Sequence, residues 1–145
     1  MSGQLLIVDG HNALLGLKRF AISHHQNSTH ARAELVDWLS RYQSVSDDAV
    51  LIIFDGTGTT RHVQQGDEGE AMVIYAKGGE SADAVVEQLT EKQTKRRAVL
   101  VASNDRSIQN AVIDSGADSL SLRALELKVE TQLASWRNHW AVQSD

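Results

Sequence analysis

Four short polar motifs carry acids next to apolar runs in this chain. Asp9-Gly10-His11-Asn12 follows the run at 5–8, Asp55-Gly56 the run at 50–54, and Ser103-Asn104-Asp105-Arg106 the run at 98–102. The fourth, Glu80-Ser81-Ala82-Asp83, opens the helical pattern that precedes the last of these runs. In an open parallel sheet, ligands sit outside the carboxyl ends of the strands, so these motifs would deliver carboxylates to one edge. Taken singly, an Asp after a strand is a helix cap or turn former. Glu80 and Asp83 in a first helical turn would complement the helix dipole, at about 0.3–1 kcal/mol each. Taken together, acids gathered without counter-charge repel and raise one another's pKa values. A hard divalent cation such as Mg²⁺ or Mn²⁺ resolves that conflict, because it favours carboxylate oxygens. The joint pattern predicts a metal site.

Neighbouring residues add to this reading. Asn12, three residues past Asp9, orients a ligand or water without adding charge. Gly10 and Gly56 let backbone approach the site closely. Glu87 lies one helical turn from Asp83 and is read as part of a solvated face. His24 and His25 fall in a polar stretch without metal-ligand spacing, and His62 and His139 read as surface residues. His11 neighbours Asp9, with catalytic and structural roles both open. The chain has no cysteine, which excludes disulfides, thiolate metal sites and a cysteine nucleophile. Nucleophile-elbow, P-loop and dinucleotide fingerprints are absent.

The elements that must position these groups alternate apolar runs with amphipathic stretches, the pattern of stacked βα units. The runs at 5–8 and 50–54 read as strands buried on both faces, with a weaker strand at 71–75, another at 98–102 and a short one near 119–122. A polar loop is expected around 23–27. Ala31, Leu35, Trp38, Leu39 and Tyr42 recur at helical spacing, with Asn27, Ser28 and Thr29 available as caps. The polar stretch 56–69 is too long for a plain connector. Further helices carry Ala82, Val85, Val86 and Leu89, then Ile108, Ala111 and Val112, the latter stopped by Gly116. A long last helix aligns Leu125, Val129, Leu133, Trp136 and Trp140, with Trp136 expected to pack and Trp140 open. A length of 145 residues predicts one domain over 1–145. With no basic leader and no membrane-length apolar stretch, the protein is expected to be cytoplasmic.

The motifs LLIVDGHN at 5–12, Phe54-Asp55, GESAD at 79–83 and ASNDR at 102–106 resemble, in order, the NYN branch of the PIN-like nuclease superfamily, in particular its YacP-like members. The resemblance runs from Leu5 to about Leu125. It implies a three-layer α/β, Rossmann-like fold with a mostly parallel sheet flanked by helices, and a Mg²⁺- or Mn²⁺-dependent ribonuclease. Asp9, Asp83 and Asp105 match the family's metal-binding acids, Asp55 its further acid, and Asn12 the asparagine after the first aspartate. Glu80 matches an acid frequent in the YacP-like motif. His11 departs from the pattern, standing where relatives often have an aromatic, so no role is carried over to it.

One or two ions would lower the pKa of a bound water and neutralise the scissile phosphate, leaving a 5′-phosphate and a 3′-hydroxyl, and endonuclease chemistry without a covalent intermediate is expected. Arg106, Lys77 and Arg61 are the candidates for guiding the RNA strand. Lys95-Arg96-Arg97 reads as a solvated helix end. A net charge of −5 argues against a broad basic surface. Binding to bare RNA is therefore expected to be weak and salt-sensitive, or helped by a larger ribonucleoprotein such as the ribosome. Two rivals stand beside this reading. One is a PIN-like module that binds RNA or the ribosome without cutting. The other, ranked lower, is a haloacid-dehalogenase-type phosphohydrolase, which wants an aspartate where His11 stands and a later lysine that is missing.

Overall fold

The computed structural model describes residues 3–143. Its elements run β1 (Leu5–Asp9), α1 (Gly10–Gly16), α2 (Lys18–Gln26), α3 (Ser28–Val45), β2 (Ala49–Phe54), β3 (His62–Gln64), β4 (Met72–Tyr75), α4 (Ala82–Gln93), β5 (Val99–Ala102), α5 (Arg106–Asp114), β6 (Asp118–Leu120) and α6 (Leu122–Gln143). The continuous apolar runs form the middle of one sheet of order β3-β4-β2-β1-β5-β6. Every pairing is parallel except that of β3 with β4.

Side chains of a strand alternate between faces, and here both faces are covered. Leu6, Val8, Ile52 and Phe54 pack towards one helical layer with Leu35 and Trp38 of α3 and Leu125 and Val129 of α6. Leu5, Ile7, Leu51 and Ile53 pack the opposite way, against Val85 and Val86 of α4 and Ile108 and Val112 of α5. This is the three-layer α/β arrangement that the family resemblance implies. Burying each such side chain contributes roughly 1.5–3 kcal/mol, so the two layers anchor the strand tips firmly.

The stretch after β1 differs from expectation. The polar segment at 23–27 is not a loop: α2 continues through Gln26 and breaks only at Asn27, whose side chain caps α3 by accepting from the His30 amide at 3.1 Å. The helix is hard to read because Phe20 is its only buried residue. It is held from outside instead. Arg19 lies over the Trp38 ring, 4.8 Å from the centroid, and pairs with Glu126 at 2.9 Å and Glu130 at 3.0 Å on α6. The polar stretch after β2 contains the exposed edge strand β3, which extends the sheet antiparallel to β4. Gly116, at φ +97°, stops α5 as its spacing suggested.

The last helix corrects a second expectation. Leu122, Leu125 and Val129 are buried, but Trp136 is 47% exposed and Trp140 53% exposed. Trp136 does not pack into the core. Its ring lies 5.8 Å from that of Trp140, and the two sit on a stretch of helix beyond Leu133, the last residue packed against the core. Among the described residues, no helix is long and apolar enough to cross a membrane.

Candidate active site at the carboxyl edge of the sheet

The chain leaves β1 on one side to build β2 and β4 and returns on the other to build β5 and β6, so the strand order reverses between β1 and β5. Such a switch point opens a crevice at the strands' carboxyl ends. Asp9, the last residue of β1, stands there and is only 4% exposed. Val8 pairs in register with Ala102, so the residues that follow each, Asp9 and Ser103, emerge side by side. The Ser103 hydroxyl donates to Asp9 Oδ2 at 3.1 Å and accepts from the Asp105 amide at 3.0 Å. Asn12 Oδ1 accepts from the Asn104 amide at 2.7 Å, and Asn104 Oδ1 accepts from the Leu122 amide at 2.9 Å. The turn after β1, the turn after β5 and the start of α6 are thereby tied together.

Each acid has a local structural reason to be where it is. Asp9 caps α1 through a long contact of 3.5 Å with the Asn12 amide. Asp105 caps α5, accepting from the Ser107 amide at 2.8 Å. Asp55 Oδ1 accepts from the Ala82 amide at 3.0 Å and so holds the start of α4 against the end of β2. That places Asp83, in the first turn of α4, over the same crevice. Capping and convergence are therefore not alternatives here. Asp9, His11, Asn12, Asp55, Asp83 and Asp105 line one cleft of about 220 Å³.

The electrostatics follow from this crowding. Burial, reinforced by the charge of Asp83, lifts the Asp9 carboxyl from 3.8 to about 6, against the hydrogen bonds from the Asn12 amide and Ser103 and the nearby His11. Burial and then the charges of Asp105 and Asp55 raise Asp83. The cleft holds acids that disfavour one another's ionisation, as expected where counter-charge is lacking.

The remaining predicted residues stand apart. Glu80 accepts from Arg61 Nε at 2.8 Å and Nη2 at 3.1 Å, and from the Lys77 amide at 3.1 Å; Arg61 also donates to Gln88. The Arg61 hydrogen bond holds the Glu80 carboxyl below its usual range. Glu80 is thus balanced by a guanidinium, outside the cleft, and Arg61 is engaged in the same pair. Lys77 and Arg106 are exposed and, like Glu87, do not line the cleft. Gly10 and Gly56 serve close packing rather than the site itself. A Cβ at Gly10 would lie 2.5 Å from the Phe54 ring, and one at Gly56 would lie 2.2 Å from the Ala76 carbonyl oxygen. Ser103 was not among the expected site residues, although its position directly after β5, in register with Asp9, was the signal for it.

A donor set dominated by carboxylate oxygens, with the His11 ring beside it and its negative charges crowded together, fits a hard cation. Among the described residues, no three acids or histidines converge closely enough, as they stand, to form a complete cage. The fit therefore rests on donor chemistry and charge. It matches the habit of Mg²⁺, which takes one or two protein carboxylates and completes its shell with water and substrate phosphate.

The profile of the YacP-like NYN domain matches residues 6–144. The chain belongs to the YacP-like NYN domain family. The match extends the resemblance through α6. The protein YacP of Bacillus subtilis (strain 168) is 27% identical over 128 residues, covering 88% of this chain and 75% of that protein. Two crystal structures of Rae1 (YacP) from Bacillus subtilis are similar throughout. One, of a tryptophan-to-leucine mutant, superposes with a TM-score of 0.80 at 27% identity, covering 98% of this chain and 84% of that one. The other gives 0.77 at 28% identity, covering 98% and 81%. The fold of this YacP-like NYN domain is accordingly PIN-like, a nuclease-type domain.

Proposed function

We propose that this domain hydrolyses phosphodiester bonds of RNA at the cleft of Asp9, Asp55, Asp83 and Asp105, with Mg²⁺ or Mn²⁺ as cofactor. The observation that carries the reading is the crowding of four carboxylates at the switch point, where Asp9 and Asp83 are both pushed towards protonation without a cation. Membership of a nuclease-type family supports the same reading.

Asp9, Asp83 and Asp105 are the residues that would hold one or two ions; Asp55 fixes Asp83 over the cleft through the start of α4. When bound, the divalent ion supplies Lewis acidity at the phosphate and a more acidic water. Asn12 is oriented by the Asn104 amide, so its side-chain NH₂ is left to position water or phosphate. Water attacks phosphorus opposite the departing 3′-oxygen, the P–O3′ bond breaks, and a proton passes to that oxygen. The products carry a 5′-phosphate and a 3′-hydroxyl. Glu80 is assigned to holding Arg61 rather than to the metal. The exposed Lys77 and Arg106 guide the strand.

End-group analysis of the products tests the chemistry. Fragments that a ligase joins through their 5′-phosphates support water as the nucleophile, whereas a 2′,3′-cyclic phosphate would rule it out. The incomplete cage is the observation that favours the rival, a domain that binds RNA or a ribosome-like partner without cutting. Chelator separates the two, since it abolishes hydrolysis and leaves a metal-free binding module indifferent.

A further inference from the structure

His11 and Asp55 have a second side. Next to the acidic cleft they border a smaller cavity of about 130 Å³, closed by His24 of α2, Ser28 and Arg32 of α3, and Phe54. The Arg32 guanidinium lies over the Phe54 ring, 5.9 Å from its centroid, and that ring in turn stacks on Tyr75 at 5.7 Å. Among the described residues Arg32 makes no ion pair with a carboxylate, unlike Arg19, Arg41 and Arg61. The guanidinium is positioned by an aromatic face while its charge and N–H fork stay available.

His24 also borders this cavity. His24 packs edge-on against His11 at 5.8 Å, and its Nδ1 is buried without a hydrogen-bond partner. Buried polar atoms without partners are rare, and each calls for an explanation. Ser28, which is exposed, opens an 18-residue helix whose positive end favours anions. A permanent cation, a ring nitrogen, a hydroxyl and a helix start border one small cavity whose lining also includes Leu14 and the Asp55 carboxylate, and the guanidinium is the group there suited to an anion. Arginine's planar fork suits phosphate oxygens in particular.

Its position says which phosphate. The cavity shares His11 and Asp55 with the cleft, so a phosphate held here would neighbour one held in the cleft. The need is plain in a chain of net charge −5, where Arg61 is already neutralised by Glu80. We propose that the Arg32 cavity anchors the backbone phosphate neighbouring the scissile one in single-stranded RNA, with Arg32 as the binding residue. This rests on the reading of the acidic cleft as a ribonuclease site.

The test compares wild type, Arg32→Gln and Arg32→Lys, each checked for folding by thermal melting, on a labelled single-stranded oligoribonucleotide and on a dinucleotide. Cleavage is followed with Mn²⁺, and binding to the oligonucleotide is followed by anisotropy in chelator across a salt series. On the oligonucleotide Arg32→Gln raises KM about tenfold with kcat nearly unchanged, and lowers the slope of log affinity against log salt by about 0.7. On the dinucleotide, which has a single phosphodiester, it matches wild type. Arg32→Lys keeps the salt slope and raises KM by a smaller factor on the oligonucleotide alone; it carries the test if Arg32→Gln does not fold. Equal KM and slope for Arg32→Gln and wild type overturn the subsite and leave the ribonuclease reading intact, as does an equal loss on both substrates. A folded wild type that cuts neither substrate with any divalent ion overturns the ribonuclease reading, and the subsite with it.

Discussion

The Ser103 hydroxyl stands 3.1 Å from Asp9 Oδ2 and 3.0 Å from the Asp105 amide nitrogen, so one side chain joins the acid that ends β1 to the acid that begins α5. It is fully buried, and its proton is directed at the most perturbed carboxylate in the cleft. Ser103→Ala removes a donor to a buried carboxylate at a cost of about 1–3 kcal/mol in stability. Without that donor the Asp9 carboxyl rises further. The acidic limb of the activity profile moves to higher pH, and activity at pH 6 falls more than at pH 8. A pH–rate series of the two proteins checks this; an unshifted limb would show that Ser103 does not act through Asp9.

Asp9 also sets how stability depends on pH. Folded, it holds its proton up to about pH 6 instead of 3.8, so the folded chain binds more protons than the unfolded one between those values. Its contribution is neutral below about pH 4, declines through the window, and above pH 6 amounts to a penalty of about 3 kcal/mol. Asp9→Asn, melted in chelator, is predicted to exceed wild type by roughly 6–12 °C at pH 8 and to match it near pH 4. A variant that melts lower than wild type at pH 8 would contradict the crowding described here. Mn²⁺ should stabilise wild type at pH 8 and leave the variant's melting temperature almost unchanged.

Glu80 and Asp83 are three residues apart but differ in role. Asp83 faces the other acids, whereas Glu80 is paired with Arg61. Asp83→Asn is expected to lower kcat/KM by at least about a hundredfold, the scale of losing transition-state charge stabilisation. Glu80→Gln is expected to stay within about threefold of wild type, because a partly exposed ion pair contributes only about 0–1 kcal/mol. Kinetics of the two variants side by side decide it; a collapse in Glu80→Gln with normal melting would return Glu80 to the metal set.

The tryptophans separate by burial. Trp38, at 2% exposure, packs on Phe20 and donates to Glu130 at 3.1 Å, so Trp38→Ala should cost about 3–5 kcal/mol. Trp136→Ala should cost less than about 1 kcal/mol, since its ring touches chiefly Trp140. Urea unfolding of both variants gives the comparison, and a large loss in Trp136→Ala would mean that the end of α6 packs more tightly than its exposure indicates.

That contrast marks where sequence pattern stops informing. Leu125, Val129, Leu133 and Trp136 share one helical face, but periodicity does not say where the core beneath ends. Strands β1, β2 and β5 were legible because their apolar runs are continuous, a pattern that burial on both faces produces. Helix α2 was not, because it is held by Arg19 and by packing on α3 rather than by an apolar face of its own. The acids of the cleft could be named from their places after strands. Their mutual disposition depended on register and on backbone bonds such as Asp55 to Ala82, which no spacing along the chain encodes. The diversion of Glu80 to Arg61 required β3, a three-residue exposed strand with almost no sequence signal.

The central claim is that the cleft at the switch point cuts RNA with a divalent ion held by its carboxylates. It is tested most directly by incubating a labelled single-stranded RNA with wild type and Asp9→Asn in Mn²⁺, Mg²⁺ or chelator. The account predicts cutting by wild type with either ion, none in chelator, and a loss of at least about a hundredfold in Asp9→Asn. Cutting that persists in chelator, or an Asp9→Asn variant as active as wild type, would contradict it.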